Sequence, residues 1–144
     1  MTSPASFPEY VTLALWATNL GRPVKDMAGG ANHVDAQMAE AAKQGAKIFV
    51  LPEYASEQWL AFKPDGLQTG EEIAWMADLA PEARKYGAEL AKKHDMLLVA
   101  GSMPWHIDPE NPEISFYPDL LIIQDSDSIR DMYKLKLNDM SIIK

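Results

Sequence analysis

Short apolar runs alternate along the chain with longer segments in which apolar residues recur at helical spacing. The first run, residues 10–20, is rich in β-branched and aromatic residues, and its first eight residues are predicted to form a strand. From about Asp26 to Gln44 the sequence is rich in alanine and carries one apolar face at helical spacing. Gly45 suits the position just beyond a helix end. A strand followed by a helix is therefore predicted.

The second predicted strand, residues 47–51, contains the apolar run 48–51 and ends abruptly in Pro52 and Glu53. Its uninterrupted apolar residues are typical of a strand buried in a parallel sheet. Pro52 ends that strand because it has no N–H to donate. The first strand, the helix and this second strand are long enough for a right-handed crossover that joins parallel strands.

Helical periodicity returns in residues 71–93, where Pro81 predicts two successive helices because proline is tolerated in a first helical turn. Residues 56–70, with breakers at Pro64 and Gly66, are predicted as a loop. The remaining predicted segments are a strand at 96–101, a proline-rich acidic loop at 105–112, and a hairpin of strands 115–124 and 129–137 across a turn at 125–128. This order predicts an α/β domain with a mixed sheet and flanking helices.

Composition narrows the function classes. The 144 residues are 47% hydrophobic and 24% charged, as in an ordinary globular domain, and the net charge of −8 disfavours nucleic-acid partners. The sequence has no cysteine, so it contains no disulfide, no thiolate metal site and no thiol nucleophile. His33, His94 and His106 are far apart, and no nucleotide-binding loop motif is present. We therefore expect no metal and no cofactor.

The N-terminus gives no targeting signal. Residues 1–9 are predicted as a flexible segment that lacks the basic and apolar regions of a signal peptide. No segment approaches the roughly 20 apolar residues that a membrane-spanning helix needs. We therefore expect a cytoplasmic protein without a membrane partner.

Glu53 is the first candidate functional residue. It follows a buried strand at the edge where open α/β sheets bind their ligands, and a carboxylate partly shielded from water there is a candidate general base. The alternative is an idle, solvated loop glutamate. Tyr54, next to it, either lines a substrate pocket or packs against the following loop.

A pair of lysines is the second candidate. In residues 132–137, strand alternation places Lys134 and Lys136 on one face, opposite Tyr133 and two leucines. Two lysines on one face are typical of an exposed strand at the edge of a sheet, where the charges prevent pairing with another chain. The functional alternative is that one lysine points into a site and offers a fixed positive charge.

Three stretches resemble the nitrilase superfamily, also called carbon–nitrogen hydrolases. Residues 39–53 look like the family's helix, Gly-Ala, strand and Pro-Glu signature. Residues 91–102 resemble its helix and apolar strand ending in glycine, and residues 133–137 are similar to its Lys-x-His-Leu motif. The three stretches occur in family order and together cover most of the chain.

This resemblance implies a Glu-Lys-Cys triad that acts on a small amide, nitrile or carbamoyl compound. Glu53 would be the general base, Lys134 would stabilise the oxyanion, Tyr54 would contact substrate, and the cysteine would attack the substrate carbon. Lys134 is favoured over Lys136 because only that register places Leu137 at the family's leucine. Lys136 stands where the family usually has histidine, and it remains an alternative.

The resemblance also implies the front half of a four-layer α-β-β-α sandwich. Residues 10–144 would be the N-terminal portion of a single domain whose C-terminal half, with the cysteine, is absent from this chain. One apolar sheet face would then be exposed. We expect a homo-oligomer or a complementary C-terminal half as partner. The alternatives are an inactive fragment of a longer hydrolase and a non-catalytic α/β binding or interaction module.

Overall fold

The computed structural model describes residues 10–106 and 116–123. In this part of the chain one sheet has the strand order β1-β2-β3-β4, where β1 is Leu13–Leu15, β2 is Ile48–Val50, β3 is Leu97–His106 and β4 is Phe116–Ile123. The first three strands are parallel, and β4 runs antiparallel to β3. The predicted α/β fold with a mixed sheet and flanking helices is confirmed.

Helix α1, Met27–Lys43, connects β1 to β2 and is bounded by local signals. The side chain of Asp26 accepts a hydrogen bond from the Gly29 N–H at 2.6 Å, which caps the first turn. At the other end Gly45 adopts φ +78°, a left-handed conformation that glycine enters without steric cost. The helix predicted from Asp26 to Gln44 therefore agrees with the structure to within one residue at each end.

Helix α2, Glu72–His94, is continuous, so the prediction of two helices was wrong. Pro81 lies inside it on an exposed position, while Ala77, Ala80 and Gly87 are buried on both sides of the proline. This buried face extends from Met76 to Ala91, and its packing offsets the hydrogen bond that Pro81 cannot donate. No helix in the described part of the chain has the length and apolar character needed to cross a bilayer.

The segment between β2 and α2 is more ordered than the predicted loop. It contains two 3-10 helices, Ala55–Phe62 and Thr69–Glu71. The first is anchored by buried Gln58, whose Nε2 donates to the Arg22 carbonyl at 3.1 Å. The breakers Pro64 and Gly66 act only on the connection between the two helical segments.

The strand lengths differ from those predicted. Strand β1 is shorter than residues 10–17, whereas β3 continues beyond residue 101 into the predicted loop and ends at His106. The extension of β3 is stabilised by antiparallel pairing with β4, a contact that the local sequence does not reveal. The second strand of the predicted hairpin, 129–137, and its turn at 125–128 lie outside the described residues.

The core lies between the sheet and the two helices. Residues Ala14, Phe49 and Leu98 are in register across β1, β2 and β3 and face the helices, with Phe49 and Leu98 almost fully buried. The buried cluster consists of Met38, Ala41, Ala46, Phe49, Ala91, Met96 and Leu98. Leu13 and Leu15 point to the opposite face, where in the described part of the chain they stay 48% and 75% exposed.

Candidate active site

Glu53 lies just beyond the carboxyl end of β2, at the edge of the sheet where its parallel strands end. The ladder continues one residue past the strand, because the Leu51 N–H donates to the Val99 carbonyl at 2.8 Å. Pro52 then ends the pairing. The position matches the sequence expectation. Within the described residues Glu53 is exposed, so its shielding from water stays a prediction.

The residue before Glu53 is in close contact with β3. Gly101 has φ +76°, and a Cβ placed on it would lie only 2.2 Å from the carbonyl oxygen of Pro52. Such a separation is far below van der Waals contact, so only glycine fits at this point of β3. The close approach fixes the backbone of Pro52 against the neighbouring strand.

The residues after Glu53 are also bound to β3. Tyr54 adopts a left-handed conformation, φ 56° and ψ 25°, and its N–H donates to the Ser102 Oγ at 3.1 Å. The Ser56 Oγ in turn donates to the Ser102 carbonyl at 3.3 Å. Ser56 and Ser102 are both buried, whereas Tyr54 is 43% exposed. We call residues 52–56 the Glu53 turn.

A cavity of about 90 Å³ lies on the helix side of the sheet, beneath the first 3-10 helix. Its lining includes Trp16, Thr18, Leu51 and Trp59, and it contains neither Glu53 nor Tyr54. Most of the lining is apolar, although the buried Thr18 Oγ1 has no hydrogen-bond partner among the described residues. Because Tyr54 does not line this cavity, the substrate-binding role of Tyr54 stays a prediction.

The segment that follows the Glu53 turn is attached to the start of α2. Lys63 forms a hydrogen-bonded ion pair with Glu72, whose side chain is only 16% exposed. One residue earlier, Phe62 meets Trp75 edge-on, with ring centroids 5.7 Å apart. These contacts hold the end of the first 3-10 helix, and the hydrogen bonds of the Glu53 turn hold its beginning.

A separate charged cluster joins α1 to the end of α2. Asp35 accepts hydrogen bonds from Lys93 Nζ at 2.7 and 2.9 Å, and its other contact is His94 Nε2 at 2.6 Å. The bond from Lys93, followed by that from His94, lowers the pKa of the Asp35 carboxyl below its ordinary value. The cluster joins two helices and lies apart from Glu53. Within the described ranges no three acidic or histidine side chains converge to hold a metal ion.

The predicted site residues are only partly brought together. Lys134 and Lys136 lie outside the described residues, so their relation to Glu53 stays a prediction. The structure brings Pro52 and Tyr54, on either side of Glu53, together with Gly101 and Ser102, which the sequence had marked only as the end of an apolar strand. The available signal was a glycine followed by a small polar residue at a strand end.

Comparisons with known proteins were made for the whole sequence. The family model described as "Carbon-nitrogen hydrolase" matches residues 12–139. A comparison with curated proteins finds no match.

Among solved structures, the chain is similar to a double mutant of the amidase from Nesterenkonia sp. AN1 in complex with acrylamide. The two share 21% sequence identity with a TM-score of 0.50, and the match covers 73% of this chain and 37% of that chain. The chain thus spans little more than a third of that amidase, and the likeness concerns the fold.

Proposed function

Since the chain belongs to the carbon–nitrogen hydrolase family, we propose that it carries the general base of an enzyme that hydrolyses a small amide, nitrile or carbamoyl compound. The observation that carries this proposal is the position of Glu53 directly after β2, at the carboxyl edge of the parallel strands. That edge is where α/β sheets bind their ligands. The family match extends on both sides of Glu53.

The proposed reaction begins when the Glu53 carboxylate takes the proton of a cysteine thiol. The thiolate attacks the carbon of the amide, and the negative charge that develops on oxygen is stabilised by the Lys134 ammonium. When the tetrahedral intermediate collapses, Glu53 returns the proton to the leaving nitrogen. The C–N bond breaks, ammonia is released, and the acyl group remains on the cysteine as a thioester. Water, activated by the same carboxylate, then hydrolyses the thioester to the acid and restores the thiol.

The nucleophile must come from outside these 144 residues, since they contain no cysteine. The proposal therefore includes a complementary C-terminal half, either in the same polypeptide or in a second chain, and a homo-oligomer as the working form. The exposed Leu13 and Leu15 support a further layer on that sheet face, because exposed apolar surface costs free energy until it is covered. Tyr54 as a substrate contact and a cytoplasmic location belong to the same proposal.

A non-catalytic α/β binding module is the second candidate. The apolar cavity favours it, because the lining of this cavity does not include Glu53. In such a protein Glu53 would be a solvated turn residue without a chemical role. The two candidates differ in one observable, which is the release of ammonia from a bound substrate.

The test uses the protein encoded by the whole reading frame. It is incubated with a short aliphatic amide, the corresponding nitrile and an N-carbamoyl amine, and ammonia and carboxylic acid are measured. We expect ammonia from at least one compound, and its loss after alkylation of thiols. If a compound binds and none is hydrolysed, the binding-module proposal replaces the enzyme.

A matched pair of variants assigns the lysine. Lys134→Ala should lower kcat about 10²- to 10³-fold, as expected when one oxyanion-stabilising group is removed. Lys136→Ala, which removes the same charge two residues away, should stay close to the parent. The opposite pattern would assign the oxyanion role to Lys136.

A further inference from the structure

We infer that Ser102 is a positioning residue, which sets the direction of the Glu53 carboxylate through the backbone of the Glu53 turn. This inference rests on the proposed role of Glu53 as the base. Among the described residues no side chain or backbone group is hydrogen-bonded to the Glu53 carboxylate, and the residue is exposed. The direction of its Cα–Cβ bond, and so the position from which the carboxylate extends, is set by the backbone on either side of it.

The backbone conformation at Tyr54 is unusual for a residue with a side chain. Asp95 also has a positive φ, but it is the C-cap of α2, where a left-handed residue is common. Tyr54 starts a 3-10 helix instead, and its side chain makes no capping bond. Left-handed residues other than glycine persist only where surrounding contacts hold them, and they concentrate at functional sites.

The contact that holds Tyr54 comes from a residue 48 positions later. The Ser102 Oγ accepts the Tyr54 N–H, and the Ser102 carbonyl accepts the Ser56 hydroxyl, so one serine binds the turn at two points. Because Ser102 and Ser56 are buried, water does not replace these bonds readily when one partner is lost.

The strand that carries Ser102 is irregular at this place. The pairing of β3 with β4 changes register between Val99 and Ser102, and Gly101 has its positive φ within that irregularity. Such irregularities re-aim side chains and are common next to active sites. Here Gly101 leaves room for the Pro52 carbonyl, and the Ser102 Oγ accepts a hydrogen bond from the Tyr54 N–H. The residues on both sides of Glu53 are therefore held against β3.

Removal of the Ser102 hydroxyl should therefore affect the chemical step more than substrate binding. In Ser102→Ala the Tyr54 N–H loses its acceptor, and the left-handed residue is free to relax. A displacement of about 1 Å of a catalytic group costs on the order of 10²-fold in rate. Ser102→Thr keeps the Oγ acceptor and should retain most of the activity.

The experiment compares Ser102→Ala, Ser102→Thr and the surface control Thr12→Val in the protein encoded by the whole reading frame. Steady-state kinetics and amide hydrogen exchange at Tyr54 are measured well below the midpoint of thermal unfolding. For Ser102→Ala we expect kcat to fall about 10- to 100-fold with KM within about twofold, and the Tyr54 amide to exchange at least about tenfold faster. Ser102→Thr and Thr12→Val should match the parent in both readouts.

The inference is overturned if Ser102→Ala keeps the parent kcat, or if Tyr54 stays protected in that variant. A fall in melting temperature alone, with kcat unchanged, would likewise overturn it, since Ser102 would then be only structural. Glu53→Gln, assayed in parallel, separates the two proposals. If Glu53→Gln keeps its activity, the role of Glu53 fails. If Glu53→Gln is inactive while Ser102→Ala is unaffected, only the role of Ser102 fails.

Discussion

Replacement of Gly101 by alanine should strongly destabilise the protein. Two independent costs add at this position. At φ +76° a residue with a Cβ is strained by about 1–2 kcal/mol relative to glycine. In addition, the new Cβ would have to move from 2.2 Å to at least 3.0 Å from the Pro52 oxygen, which displaces β3 from the Glu53 turn. Overpacking of this kind costs about 1–3 kcal/mol, so we expect a total loss of about 2–5 kcal/mol.

Two other glycines provide matched controls. Gly45 has nearly the same backbone conformation, φ +78°, but a Cβ there meets nothing within 4 Å, so Gly45→Ala should cost only the strain of about 1–2 kcal/mol. Gly30 lies inside α1 and also has open space, so Gly30→Ala should stabilise by about 0.5–1 kcal/mol. The free energy of unfolding of each variant is measured by urea denaturation.

The order of the three variants is the critical result. The difference between Gly101→Ala and Gly45→Ala isolates the contact with Pro52, because the backbone strain is common to both. If Gly101→Ala destabilised no more than Gly45→Ala, the close approach of β3 to the Glu53 turn would be refuted.

Two further predictions concern ion pairs. Because hydrogen bonds from Lys93 and His94 lower the pKa of Asp35 in the folded protein, its stabilising effect is fully present above the unfolded pKa near 3.8 and is lost as the pH falls through the lower folded value. Asp35→Asn should flatten this acid dependence in melting curves recorded between about pH 6 and pH 2, and an unchanged acid slope would contradict it. Lys63→Met, which leaves the part-buried Glu72 carboxylate unpaired, should destabilise by about 1–3 kcal/mol, more than Glu72→Gln does, and equal losses in urea denaturation would refute that asymmetry.

The elements predicted best from the sequence are those set by local signals. Helix α1 has its capping side chain at Asp26 and its left-handed glycine at Gly45, both within a few residues of the helix ends. The continuity of α2 through Pro81 could not be predicted, because it depends on which side of the helix packs against the sheet. The extension of β3 depends on pairing with β4 for the same reason.

The candidate site divides in the same way. Glu53 was predicted because an apolar strand that ends in Pro-Glu is visible within seven residues of sequence. The contact between Tyr54 and Ser102 joins residues 48 positions apart, and neither residue type signals the other. Among the described residues Glu53 is exposed; its shielding from water could not be derived from the strand's own residues, since burial is determined by packing around the strand end.

The most direct test of the account is the turnover of a small amide by Glu53→Gln beside Glu89→Gln, in the protein encoded by the whole reading frame. Both variants remove one exposed carboxylate, but Glu89 lies on α2 and the account gives it no role. We predict that Glu53→Gln lowers kcat at least about 10²-fold with its melting temperature unchanged, and that Glu89→Gln keeps the parent kcat. Parent-like turnover by a folded Glu53→Gln variant would contradict the central claim that Glu53 is the general base.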